Sequence, residues 1–157
     1  MDIGILRRDG RTDGFFDAAA RDRLAVRRCA ACAAPPEGAV PSDRDVPPDG
    51  AATGAGAEAF LPPDATSCPD CGTEDLGWTD VSGEAVLVSW TVLHPRPRED
   101  GSAPPPALLA LVELAEGPWL YARLDGVGPA GLREGLPLRV RFAHPSEGEA
   151  YPLFTPA

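Results

Sequence analysis

Four cysteines, arranged as Cys29-Ala-Ala-Cys32 and Cys68-Pro-Asp-Cys71, are the residues whose type and spacing point most directly to chemistry. Two Cys-x-x-Cys units with no cysteine left over are the sequence form of a tetrahedral four-sulfur metal site. Two intervening residues let a tight turn aim both sulfurs at one ion while backbone N–H groups point at the thiolates. A bound cation lowers thiol pKa and holds the thiolate form. Gly72 follows the second pair and tolerates a left-handed backbone just past the last ligand. Zinc is the expected metal, with iron in a rubredoxin-like redox site as the alternative and disulfides or unligated core cysteines as the remaining readings. Nothing at the N-terminus reads as an export signal, which disfavours disulfides. Four protein ligands leave zinc no open position for water or substrate, so the expected role is structural.

The remaining candidates form no catalytic set. His94 and His144 have no serine, cysteine or acid placed in sequence to suggest a triad with either. All 14 basic residues are arginine, which removes Schiff-base chemistry on lysine. Arg96 and Arg98 lie in a Pro-rich loop after the first long β segment, where arginines are placed to meet phosphates, or else simply to be solvated. Trp78, Trp90 and Trp119 are expected as core or interface anchors. No catalytic residue is assigned.

The elements that must position the cysteines are mostly β. Residues 84–94, 107–114, 119–124, 138–142 and 151–154 read as five short strands, rich in β-branched and aromatic residues and separated by turn signals. One helical turn is expected at 129–135. Five strands with one small helical element suggest a small closed barrel of OB-fold size. Ahead of them, residues 13–24 read as a helix with Asp13 as N-cap and Phe16, Ala20 and Leu24 on one stripe, Phe15 beside it. So short a helix must pack, either on its own domain or, through Phe15 and Phe16, on another subunit.

Composition bounds the rest. The chain has 157 residues and a net charge of −10. Such acidity disfavours nucleic acid as a partner. No apolar run approaches membrane-spanning length, and a cytoplasmic location is the expectation. Residues 33–67 carry six acids against Arg44 alone, half of the net charge, and 20 of these 35 residues are Ala, Gly or Pro. Most of this stretch is expected to be a disordered acidic insertion, at about 33–59, ending where Phe60-Leu61 resumes order.

From about residue 13 onward the chain resembles the zinc-ribbon/OB-fold acyl-CoA-associated family, long catalogued as a domain of unknown function. The resemblance runs through Phe15-Phe16, Arg23 to Cys32, Phe60-Leu61-Pro62-Pro63, Cys68 to Gly72, and Leu76-Gly77-Trp78. It continues through Val81 to His94, the most specific stretch, then Val112 to Pro118, Leu132 to Val140 and Pro152-Leu153-Phe154. It implies a mainly β chain: tail and docking helix over 1–24, a rubredoxin-like zinc ribbon over 25–79 and a five-stranded OB-fold over 80–157. It also implies one structural zinc on Cys29, Cys32, Cys68 and Cys71, and work as an accessory subunit beside a thiolase-fold enzyme (thiolase, acyltransferase or aldolase) or a hot-dog-fold hydratase. Phe15, Phe16 and Leu24 are the expected docking residues, and Arg96 and Arg98 the expected contacts to acyl-CoA. A free-standing acyl-CoA or acyl-carrier binding module is the alternative reading. The chain departs from the family pattern in its long insertion, in Ala33 after the first knuckle and in Glu84-Ala85 before the first barrel strand.

Overall fold

The computed structural model describes residues 5–33, 59–97, 99, 101–103 and 105–157. The expected disorder of the 33–59 insertion and the position of Arg98 fall outside the described residues, apart from Ala33 and Ala59 at the insertion's ends.

The chain runs α1 (Asp13–Ala19), β1 (Leu24–Cys29), α2 (Ala30–Ala33), β2 (Phe60–Leu61), β3 (Leu76–Val81), β4 (Glu84–Leu93), β5 (Ala107–Leu114), β6 (Trp119–Leu124), a 3-10 turn (Pro129–Gly131), β7 (Pro137–Ala143) and β8 (Tyr151–Pro156). Helix α1 is shorter than the apolar stripe implies, and Leu24 opens β1 instead of closing the helix. Asp22, at φ 57, ends it. Its N–H bonds to Ala19 O, and that of Arg23 reaches back to Ala18 O at 3.0 Å. This is a Schellman-type stop with aspartate in the left-handed position that glycine usually takes. Thr12, not Asp13, is the N-cap, and its side chain makes no capping bond.

Strands β2-β1-β3 form a small antiparallel sheet, with β1 paired to β3 from Leu24↔Val81 to Cys29↔Leu76. The other five strands close into a barrel of order β4-β5-β6-β8-β7, with β7 returning to β4. Every pair is antiparallel except β6 with β8. Five strands in this order are the OB-fold arrangement. Strand β4 bends at an irregularity between Leu87 and Ser89, staying on β5 throughout but pairing with β7 only over Glu84–Val86.

The interior follows from alternation. Leu108, Ala110, Val112 and Leu114 of β5 and Leu120, Ala122 and Leu124 of β6 point inward and meet Leu87, Leu138 and Phe154. Leu24 and Val26 of β1 belong to the same cluster. The small sheet is therefore rooted in the barrel's core at one end and carries the cysteines at the other. A second, smaller cluster of Cys29, Leu61 and Cys68 surrounds those sulfurs.

Candidate metal centre

Each cysteine pair is delivered by a different device. Cys29 is the last residue of β1 and Cys32 lies in the single turn of α2. The N–H of Cys29 donates to Ala59 O at 3.0 Å, tying the first pair to the chain that leads into β2. Cys68 and Cys71 sit on the loop before β3. The Cys68 N–H donates to Thr73 O and the Gly72 N–H to Cys68 O, both at 2.8 Å, with Gly72 at φ 76. That closed turn presents both sulfurs on one side.

The four sulfurs converge. All lie within 4.8 Å of one another. Cys29 Sγ is 3.6 Å from Cys71 Sγ, and Cys32 Sγ is 3.7 Å from Cys68 Sγ. A tetrahedron of thiolates with metal–sulfur bonds of about 2.3 Å has edges of about 3.8 Å, so the donor set fits a four-coordinate soft or borderline cation. Cys29 and Cys68 are buried and Cys71 is exposed. Backbone N–H groups of Cys71 and Asp70 bring the Cys68 thiol down to about 7, against its burial. Cys32 is pushed up by the crowding of Cys71, Cys68 and Cys29. Cys29 receives help from the Cys32 N–H, but burial and the sulfurs of Cys71 and Cys68 outweigh it and push the thiol up. Four thiolates this close repel one another unless a cation lies among them. Four cysteines held this close can bind a metal ion, and among the described residues they are the one such cluster of His, Cys, Asp and Glu.

The other sequence candidates are scattered. Phe16 and Leu24 are buried within the chain itself, whereas Phe15 is half-buried and lies edge-on to Phe16, with ring centroids 5.5 Å apart. Arg96 is exposed in the β4–β5 loop. His94 lines a cavity at the end of the barrel with Val92, Leu108 and Asp125. His144 Nε2 lies 2.8 Å from Asp22 Oδ1, joining the β7–β8 loop to the end of α1. Two arrangements escaped the sequence reading. Arg27 stacks its guanidinium 3.9 Å from the Trp78 ring centroid and donates to Arg11 O and Leu76 O, bracing β1 against β3 beside the cysteine loops. Arg8 bridges Asp17 of α1 and Glu149 before β8. Both depend on pairings far apart in sequence, which no local spacing announces.

Comparison with known proteins bears on this geometry. Residues 78–143 match the family described as the C-terminal OB-fold domain of ChsH2. Among solved structures, a chain of the Ltp2-ChsH2(DUF35) aldolase superposes with a TM-score of 0.68 at 26% identity, covering 95% of this chain and 96% of that one. The chain is thus similar to the DUF35/OB-fold family. A second DUF35 structure, from Sulfolobus solfataricus and of unknown function, shares the fold at TM-score 0.51 and 13% identity, over 83% of this chain and 77% of the other. In sequence, the chain is 34% identical over 77 residues to a DUF35 domain-containing scaffold protein of Pyrococcus furiosus, covering 49% of itself and 56% of that protein. It is 27% identical over 143 residues to a probable enoyl-CoA hydratase alpha subunit of Thermomonospora curvata, covering 91% of itself and 36% of the relative. The chain thus spans only about a third to a half of the length of these curated relatives.

Proposed function

We propose that this chain is a DUF35-type, non-catalytic accessory subunit of an acyl-CoA-processing complex, docking on a thiolase-fold or hot-dog-fold enzyme and helping to form its acyl-CoA site. The observation that carries the reading is the two-way, nearly end-to-end match to a chain of the Ltp2-ChsH2(DUF35) aldolase. The scaffold-protein and hydratase-subunit relatives support it from sequence. The metal proposed for Cys29, Cys32, Cys68 and Cys71 is one structural zinc. It would tie β1 to the loop before β3 and fix the ribbon over 25–79 as a platform beside the barrel over 80–157. The reading places the chain in the cytoplasm with CoA esters. Among the described residues no helix is long and apolar enough to cross a membrane.

The test is to co-express the tagged chain with thiolase-fold and hydratase enzymes of the same genome and purify gently. A stoichiometric complex, active where neither component is active alone, would bear the proposal out. Recovery of the chain alone, together with calorimetric binding of CoA esters to it, would instead make it a free-standing acyl-CoA binder. Metal analysis of the same preparation should give one zinc per chain and no colour. A red, iron-loaded protein would replace the structural role with electron transfer.

A further inference from the structure

The outward face of β4, β5 and β6 has the wrong composition for a surface. In an antiparallel barrel, strand residues that point away from the core are normally polar. Here β5 reads Ala-Leu-Leu-Ala-Leu-Val-Glu-Leu, apolar on both faces until Glu113. Its inward residues are Leu108, Ala110, Val112 and Leu114, so Leu109, Leu111 and Glu113 point out. Cross-strand register completes the face. Glu113 lies between Val86 and Trp119, Leu111 between Ser89 and Tyr121, and Leu109 between Thr91 and Arg123. Tyr121 is 73% exposed, Trp119 48%, Leu93 46% and Val86 39%. At one end the face runs into an apolar groove of about 310 Å³ lined by Leu6, Phe15, Leu93, Leu109, Tyr121 and Pro152. A band of this kind, with Trp119 at one end and Tyr121 midway, has the composition of an interface core.

We infer that this face, from Val86 and Trp119 through Tyr121 to the Phe15 groove, is the surface on which the proposed partner enzyme docks, and that the enzyme meets it with an apolar patch carrying an arginine or lysine opposite Glu113. The inference rests on the accessory-subunit reading above. Charge decides the occupant. A second copy would bring two chains of net charge −10 together, and a net charge this far from zero keeps a protein monomeric. Glu113 has no ion-pair partner among the described residues. Flanked by Val86 and Trp119, it loses water under any occupant, and an uncompensated buried carboxylate is strongly unfavourable. A cationic group on the partner removes that penalty and fixes the register of docking.

The experiment measures the affinity of the chain for its co-purified enzyme, using Trp119→Ala, Tyr121→Ala, Glu113→Gln and Glu113→Lys. These side chains lie outside the core, so each variant should keep the wild-type melting midpoint and metal content. Each aromatic truncation should weaken binding roughly tenfold or more, and Glu113→Lys should weaken it more than Glu113→Gln. Unchanged affinity in all four, with the wild-type complex intact, would remove this face and leave the accessory role standing. Failure of the wild-type chain to hold any co-expressed enzyme would remove both. Light scattering of the isolated chain supplies the last arm: a dimer that Tyr121→Ala dissolves would assign the face to a second copy and overturn the choice of partner.

Discussion

At Gly83, between β3 and β4, the absence of a Cβ lets the turn lie close against Val140 of β7. Its φ is 76, a Cβ there would collide with Val140 Cγ1, and its carbonyl accepts the Val140 N–H at 2.8 Å. Gly83→Ala combines a left-handed penalty with overpacking and should cost about 2–4 kcal/mol in urea denaturation. Gly72 has nearly the same φ with nothing within 4 Å of a built Cβ, so Gly72→Ala should cost only about 1–2 kcal/mol. A larger loss at Gly72 than at Gly83 would contradict this account. Cys29→Ser or Cys68→Ser should abolish bound metal, read as metal per chain after dialysis, because each removes a buried thiolate from a four-donor set. The cysteines were legible because their chemistry fixes their spacing. Arg27 and Trp78 were not, since a cation over a ring requires Arg27 to stand opposite Trp78, 51 residues on in sequence, across two paired strands.

Among the elements, legibility followed periodicity. The five barrel strands alternate apolar and polar residues or carry β-branched runs, and all five stand within a residue or two of the expected bounds. Strand β1 went unnoticed because Leu24, Ala25 and Val26 are all buried in succession, giving no alternation to read. The helix was overextended for a related reason: Leu24 continues the stripe in sequence while Asp22 turns the chain away. The N-terminal segment is held to the barrel by a backbone bond from the Glu149 N–H to Leu6 O, by apolar contact of Leu6 and Phe15, and by an ion-pair bridge. Arg8 donates to both carboxylate oxygens of Glu149, at 2.9 and 2.7 Å, and to Asp17, and holds both carboxyl groups below their ordinary range. Carboxylates held low add stability above their unfolded pKa and lose it as pH falls through the folded value. Arg8→Ala should therefore lower the melting midpoint near neutrality, and the gap to wild type should close as the buffer is taken below about pH 4. A gap independent of pH would make Arg8 a packing residue instead. Moderate salt should shrink the same gap, since these groups are solvent-exposed.

For the whole molecule the decisive fact is that Leu24 and Val26 lie in the barrel's core while Cys29, five residues on from Leu24, lies in the cysteine cluster. Strand β1 lies outside the barrel's ladder but packs Leu24 and Val26 into its core, so metal removal should not leave an untouched barrel. Chelation should shift one cooperative melt to lower temperature, followed by both near-ultraviolet dichroism and amide exchange in β5. Two separated transitions would show instead that the ribbon melts alone. Leu24→Ala should cost about 2–5 kcal/mol and loosen metal retention with it. The topology itself was beyond local pattern, because nothing in the residues of β8 announces that it enters between β6 and β7. That placement sets an order of events during synthesis. Until Tyr151–Pro156 emerges, β6 and β7 each present an open edge and Phe154 has yet to fill the centre of the core. A nascent chain stalled before that point is an unfinished sheet, and the cell's chaperones rather than the fold must guard its edges.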